Sequence, residues 1–180
     1  RRARPPLFRA PVRVRLEADW GFLLNVIMPA RPAVSWQQFI TGKPANRAVA
    51  CWQGQVLAGI SVEAVETQDA TGPATVVRVI DNPQMTKAAI KLARSLGLSG
   101  MWGFDFILEA RSGSTFLIEV NPRATPICHL QLGAGHDLPA ALLEQLTNAR
   151  PVSPRPALES HVIAMFPGEW RRDRASLHLK

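Results

Sequence analysis

Cysteines and long apolar runs are scarce in this chain, and their scarcity excludes several classes of protein. The 180 residues contain only Cys51 and Cys128, too few for the disulfide framework of a small secreted domain. No Asn-x-Ser/Thr glycosylation acceptor is present. The longest apolar runs, such as Gly21 to Pro29, are far shorter than the roughly 18 residues of a membrane span. We therefore expect a cytoplasmic protein that does not cross a membrane.

The composition is that of a chain able to bury one substantial core, since 47% of its residues are hydrophobic and 19% are charged. The sequence begins with Arg1 and shows no basic stretch followed by an apolar signal core. We therefore expect that sequence upstream of Arg1 is missing.

Positive charge is concentrated at the start of the chain. The net charge is +7, and six arginines lie within the first fifteen residues, where Phe8 is the only aromatic side chain. A basic nucleic-acid-binding domain is one interpretation, but a single aromatic residue is poor material for base stacking. A solvated terminus is the favoured interpretation, and we predict that residues 1–32 form a basic N-terminal segment separate from the functional portion.

Hydrophobic periodicity predicts an α+β fold in which an antiparallel sheet has helices packed on one face. Strands are expected at residues 34–40, 47–52, 55–65, 74–80, 102–109, 115–120 and 161–166, with Gln53-Gly54 as a tight hairpin turn. Asn82-Pro83 predicts the start of a helix that ends at Gly97, and Asp137 predicts the start of another that ends near residue 149. A weaker helical pattern covers residues 17–28. We predict a functional portion at 33–149, a proline-rich connector at 150–160 and a C-terminal segment at 161–180.

Three oxygen-bearing side chains mark the most informative part of the sequence. If the loop after Glu109 turns the chain back on itself, Asp105 approaches Glu119 and Asn121, and the latter two project from the same face of their strand because they are two residues apart. Two carboxylates and an amide oxygen are ligands that Mg²⁺ prefers. Arg123, two residues further on, adds a planar cation suited to phosphate oxygens.

The alternative interpretation is that these side chains are ordinary polar residues on a solvated strand face. Two features count against it: Asp105 interrupts the apolar pair Phe104 and Phe106, and Glu119 ends an apolar strand at an abrupt turn. Clustered carboxylates repel one another unless a cation compensates them, so a bound metal ion makes the pattern intelligible.

The run from Phe116 to Arg123 resembles the metal-binding strand of ATP-grasp enzymes, most closely the carbamoyl-phosphate-synthase-like branch, and Asp105 matches the first acidic ligand upstream of it. The segment Ser35 to Gly42 resembles the hinge that meets the adenine edge in that superfamily. The resemblance extends from about Ala33 to Leu146. It implies an ATP-grasp C-terminal half and an ATP-dependent carboxylate ligase, which forms an acyl phosphate that an amine or similar nucleophile captures.

On this resemblance, Glu119 bridges two Mg²⁺ ions while Asp105 and Asn121 each hold one, with Mn²⁺ as an alternative metal. Arg123 is the catalytic residue that steadies the transferred phosphoryl group. The expected nucleotide contacts are Gln37, Gln38, Phe39 and Ile40 at the hinge, together with Arg78 on the strand before the long helix. The implied partners are a small-molecule carboxylate and a small-molecule nucleophile.

Two features of the family pattern have no counterpart here. No acidic residue follows the hinge at the ribose-binding position, where Asn46 is the nearest candidate, and no glycine-rich phosphate loop precedes Val34. Gly42-Lys43-Pro44 is not a P-loop, because the required upstream glycine and the following Ser or Thr are missing. A missing upstream domain or a second subunit is expected to supply the phosphate loop. The alternative is a non-catalytic or partner-dependent nucleotide-binding module.

Overall fold

The computed structural model describes residues 12–13, 37–70, 72–133, 135–148 and 161–180. The chain divides into two compact units, Arg1–Thr41 and Gly42–Lys180. The helix expected at 17–28 and the connector expected at 150–160 lie outside the described residues.

The N-terminal unit contains two short antiparallel strands, β1 (Val12–Arg13) and β2 (Gln37–Gln38). Val12 lies opposite Gln38, and Arg13 lies opposite Gln37. The extended conformation expected for the hinge segment is therefore present at Gln37 and Gln38, whereas residues 34–36 are outside the described part of the chain.

The C-terminal unit is built on a six-stranded antiparallel sheet with the strand order β7-β6-β3-β4-β5-β8. Its strands are β3 (Gly42–Trp52), β4 (Gln55–Thr67), β5 (Ala74–Val79), β6 (Gly100–Glu109), β7 (Thr115–Asn121) and β8 (Val162–Ala164). The predicted two-residue turn joins β3 to β4. Gln53 and Gly54 have φ angles of 47° and 83°, which give a turn whose twist matches that of the paired strands.

Helix α1 (Pro83–Leu96) begins and ends where the sequence predicts. The Asn82 side chain accepts hydrogen bonds from the backbone N–H groups of Gln84 and Met85, each at 3.0 Å. Gly97 ends the helix in the left-handed conformation, with a φ of 61°, which glycine adopts without steric cost. The face that carries Met85, Ala89 and Ala93 is fully buried against the sheet.

Helix α2 (Leu138–Thr147) is capped by Asp137, whose carboxylate accepts from the backbone N–H of Ala140 at 3.0 Å. It follows a short 3-10 helix, Pro126–His129, and both elements pack on the sheet through Leu138 and Ile127. None of the described helices has both the length and the apolar character that spanning a membrane requires.

The α+β class and the antiparallel sheet are confirmed, but the helices lie on both faces rather than on one. Residues Ala48 and Ala50 of β3 belong to the cluster that packs with α2, and the alternate residues Val49 and Cys51 belong to the cluster that packs with α1. All four side chains are fully buried. A central strand that is apolar on both sides needs a covering layer on each face, and one helix supplies part of each layer.

The segment after residue 161 completes the opposite edge of the sheet. Strand β8 pairs with β5, and helix α3 (Gly168–Arg172) follows it. Within α3, Glu169 is fully buried and receives two hydrogen bonds of 2.7 Å from the Arg172 guanidinium. That interaction lowers the pKa of Glu169 to about 2, against the opposing effect of burial.

Candidate metal site

Strands β6 and β7 form the antiparallel hairpin that the sequence predicts, and their register sets the site. Asp105 lies opposite Glu119, and Gly103 lies opposite Asn121. The register shifts between Asp105 and Phe106, so that Phe106 faces Leu117. Because residues directly opposite in a sheet share a face, and residues two apart on a strand do too, the three oxygen-bearing side chains lie on one face.

Asp105 is half-buried, and each of its carboxylate oxygens accepts a hydrogen bond from a neutral amide. The Asn46 Nδ2 group donates to Oδ1 at 2.5 Å, and the Asn121 Nδ2 group donates to Oδ2 at 2.7 Å. Asn46 lies on β3, directly opposite Asp105. Hydrogen bonds from both sides fix the carboxylate without neutralising its charge.

The remaining acceptors of this cluster are available to a cation. Asn121 is 8% exposed, and its amide nitrogen donates to Asp105, which leaves its amide oxygen as an acceptor that no described residue uses. The Glu119 side chain is exposed on β7 and forms no hydrogen bond or ion pair with the described residues. Within the described ranges no three His, Cys, Asp or Glu side chains come together as a metal site. The candidate ligands are the carboxylates of Asp105 and Glu119 and the amide oxygen of Asn121. Such a small set fits Mg²⁺, because that ion completes its shell with water and phosphate oxygens.

Arg123 lies beyond the end of β7 and is exposed. Its Nη1 group makes a long hydrogen bond of 3.4 Å to the carbonyl of Ala124, and it forms no ion pair with the acidic side chains of the described ranges. Its guanidinium thus keeps most of its donors for an incoming anion.

Arg78 is not brought to this cluster. It lies opposite Glu63 on β4, and its Nη1 group is 2.8 Å from the Glu63 carboxylate, which also lies 3.8 Å from the Lys43 ammonium. Glu63 pairs with Ala45, the residue next to Asn46, so it projects from the face opposite to that of Asp105. The structure thus places Arg78 in an ion pair behind the sheet, away from the three oxygen-bearing side chains.

The four hinge residues belong to the N-terminal unit. Gln37 and Gln38 form β2 with exposed side chains, Phe39 is 43% exposed, and Ile40 is half-buried.

Two residues close to Asp105 have roles that the motifs did not reveal. Asn46, the nearest candidate for a ribose contact, has its amide nitrogen bonded to Asp105. Thr125, in the turn after β7, is 8% exposed and lies with its hydroxyl 3.5 Å from Asn46 Oδ1. Asn46 is 59 residues from Asp105 in sequence, so only the pairing of β3 with β6 could have predicted that the two side chains meet.

Both cysteines and His136 are engaged in structural contacts. The Cys128 sulfur is buried and accepts from the Thr125 backbone N–H at 3.2 Å, and the His136 Nδ1 atom lies 2.8 Å from the Gly59 carbonyl. Cys51 is buried in the sheet, and burial raises the pKa of its thiol to about 11.

In a comparison with known families, residues 25–126 match a family described as an ATP-grasp domain. The match covers more than half of the chain. The chain therefore belongs to the ATP-grasp family. A comparison with curated protein sequences finds no match.

Solved structures of ATP-grasp ligases resemble the fold. An L-amino acid ligase from Bacillus licheniformis aligns with a TM-score of 0.51 and 16% identity, over 86% of this chain and 41% of that protein. D-alanine–D-alanine ligase from Bacillus anthracis, solved with ATP, aligns with a TM-score of 0.44 and 18% identity, over 74% of this chain and 51% of that protein. The ATP-grasp ligase PsnB, solved with its minimal precursor, Mg and ADP, aligns with a TM-score of 0.37 and 21% identity, over 51% of this chain and 28% of that protein. This chain spans about half or less of each ligase.

Proposed function

We propose that this chain provides the magnesium- and nucleotide-binding portion of an ATP-dependent carboxylate ligase. The observation that carries the proposal is the arrangement of Asp105, Glu119 and Asn121 on one face of the β6–β7 hairpin, with no cationic partner for either carboxylate among the described residues. Membership of the ATP-grasp family supports the same chemistry.

Asp105, Glu119 and Asn121 are the residues that would hold Mg²⁺, and the same oxygen ligands would also accept Mn²⁺. When bound, the metal offsets the charge of the triphosphate and holds its oxygens in place. The Asn46 and Asn121 amides keep Asp105 in position for that role. Arg123, which is exposed two residues after Asn121, would present donors to the phosphoryl group that is transferred.

Nucleotide recognition in the proposal uses Gln37, Gln38, Phe39 and Ile40 at the adenine edge. Arg78 is left out of the phosphate contacts, because its guanidinium is held by Glu63 on the other face of the sheet.

In the proposed reaction a substrate carboxylate oxygen bonds to the γ-phosphorus of ATP, the bond from that phosphorus to the β–γ bridging oxygen breaks, and ADP leaves. An amine or similar nucleophile then attacks the acyl phosphate, the new bond to carbon forms, and phosphate leaves. Positioning and charge neutralisation, rather than covalent catalysis by the protein, carry such a step. A further domain or a second subunit would supply the phosphate loop, in keeping with the fraction of each ligase that this chain spans.

The test is calorimetric titration of ATP into the chain, with Mg²⁺ and with a chelator, for the wild type and Glu119→Gln. We expect the wild type to bind ATP more tightly with Mg²⁺ and the variant to lose that metal-dependent gain, because Glu119→Gln removes one of two carboxylates. Glu109→Gln is the matched control, since Glu109 lies on the same hairpin and is bonded to Ser112 at its loop end. Equal metal dependence in the wild type and Glu119→Gln would contradict the proposal. Phosphate release, measured in the same samples, separates a ligase from a module that only binds nucleotide.

A further inference from the structure

Two polar residues outside the metal-ligand set, Asn46 and Thr125, form a line of contacts that ends on Asp105. The Asn46 side chain spans the gap between Asp105 and the turn after β7, with its nitrogen 2.5 Å from Asp105 Oδ1 and its oxygen 3.5 Å from Thr125 Oγ1. Asn46 and Asp105 come from neighbouring strands, whereas Thr125 comes from the segment that follows Asn121.

Asp105 and Thr125, at the two ends of the Asn46 amide, determine which end carries the nitrogen and which the oxygen. An ionised Asp105 only accepts hydrogen bonds, so it requires the nitrogen end of the amide. The Thr125 hydroxyl can donate to the oxygen end, which reinforces the same orientation. Its other neighbour is the Cys128 sulfur at 3.6 Å, a weak acceptor that competes poorly with an amide oxygen. Thr125 is itself held because its backbone N–H donates to that sulfur at 3.2 Å.

Gly103 is what allows Thr125 to approach the sheet. It lies two residues before Asp105 on the same face, opposite Ala48 on one side and Asn121 on the other. A Cβ atom at Gly103 would lie 2.1 Å from the Thr125 Cγ2 atom and 3.5 Å from the Asn121 Cβ atom. Any larger residue would push the turn outward and carry the Thr125 hydroxyl away from Asn46.

We propose that Asn46 and Thr125 are positioning residues for the metal site. Gly103 has no side chain and so leaves the space that the Thr125 methyl group occupies. The Thr125 hydroxyl orients the Asn46 amide, and that amide fixes one oxygen of Asp105 while Asn121 fixes the other. Asp105 is thereby held in a single orientation before a metal ion arrives. The inference rests on the proposed function, since it assigns these residues a role in metal binding.

The test measures Mn²⁺ binding to the full 180-residue chain with ATP present, by the enhancement of water proton relaxation. Thr125→Val keeps the shape and the methyl group over Gly103 but removes the hydroxyl that orients Asn46. We expect Mn²⁺ affinity to fall by about 10-fold, the lower end of the range for losing a hydrogen-bond partner of a metal ligand, because Thr125 acts on Asp105 through Asn46. Thr125→Ser keeps the hydroxyl and is expected to restore affinity to within about twofold of the wild type. Asn46→Ala, which removes the amide that donates to Asp105 Oδ1, is expected to weaken binding at least as much as Thr125→Val.

A second readout needs no metal. In the metal-free chain the two Asn46 side-chain amide protons should resonate far apart, because one of them donates a short hydrogen bond to a carboxylate, and Thr125→Val should reduce their separation. Gly103→Ala should have the same effect on the resonances and on Mn²⁺ affinity, which keeps the test decisive if Thr125→Val fails to fold.

The outcomes distinguish the two proposals. Mn²⁺ affinity and Asn46 resonances that are unchanged in Thr125→Val would overturn the positioning role while leaving the proposed function intact. A wild-type chain that binds no Mn²⁺ with ATP would overturn both.

Discussion

On one face of the sheet Asp105 accepts its hydrogen bonds from the neutral amides of Asn46 and Asn121, whereas on the other face Glu63 is bonded to Arg78 and lies 3.8 Å from Lys43. Both acids lie on interior strands of one sheet, but only one of them has cationic neighbours. The negative charge of Glu63 is offset by the nearby Arg78 and Lys43. Asp105 is held in place with its negative charge uncompensated, and that is the condition that favours an incoming cation.

The largest effect should come from removing Asp105, with the removal of Glu63 on the other face as its control. We expect Asp105→Asn to weaken Mg²⁺-dependent ATP binding by more than the roughly 10- to 100-fold that loss of a ligand's hydrogen-bond partner costs. Glu63→Gln, the matched change on the other face, should leave that binding unaltered, because its cations are far from the cluster. Calorimetry with and without Mg²⁺ measures both. A similar loss in the two variants would remove the distinction between the faces.

A third acid sharpens the comparison through its response to pH. The Arg172 hydrogen bonds lower the pKa of Glu169 from 4.5 to about 2. Because the folded-state pKa lies below the unfolded one, Glu169 stabilises the fold above about pH 4.5, and this contribution is lost as the pH falls toward 2. Urea unfolding midpoints between pH 7 and pH 2.5 should fall more steeply for the wild type than for Glu169→Gln. Parallel pH profiles would show that Glu169 contributes nothing by this route.

The smallest effect is expected at Arg78. Its side chain is 43% exposed, so its ion pair with Glu63 should contribute about 0–1 kcal/mol, and Arg78→Gln should lower the free energy of unfolding by no more than that. ATP affinity should stay unchanged, because the guanidinium faces away from Asp105. Denaturant unfolding and calorimetry provide the two measurements. If Arg78→Gln bound ATP more weakly than the wild type, Arg78 would be a nucleotide contact after all, as predicted from the sequence.

Local chemistry explains which elements were predictable. The cap at Asn82, the left-handed Gly97 and the turn at Gln53 and Gly54 each act within a few residues, so the sequence shows them directly. The prediction that both helices lie on one face was wrong, since α1 and α2 pack on opposite faces of β3. The sequence of an apolar central strand does not show which helix covers each of its sides.

The same limit applies within the candidate site. Spacing along two adjacent strands and a short loop was enough to bring Asp105 opposite Glu119, since a hairpin leaves few ways to pair. Nothing local indicated that Arg78 would face away, because its side depends on the register of β3, β4 and β5 together.

The sequence by itself determined the two longer helices, most of the sheet strands, the β6–β7 hairpin and the oxygen-bearing set on it, because these follow from periodicity, capping and close pairing. Only the tertiary structure decided that Asn46 reaches Asp105 and that Thr125 rests on Gly103. Those contacts join residues that are distant in sequence, and they exist only because the long strand β3 pairs with β6 and the turn after β7 folds back over the sheet.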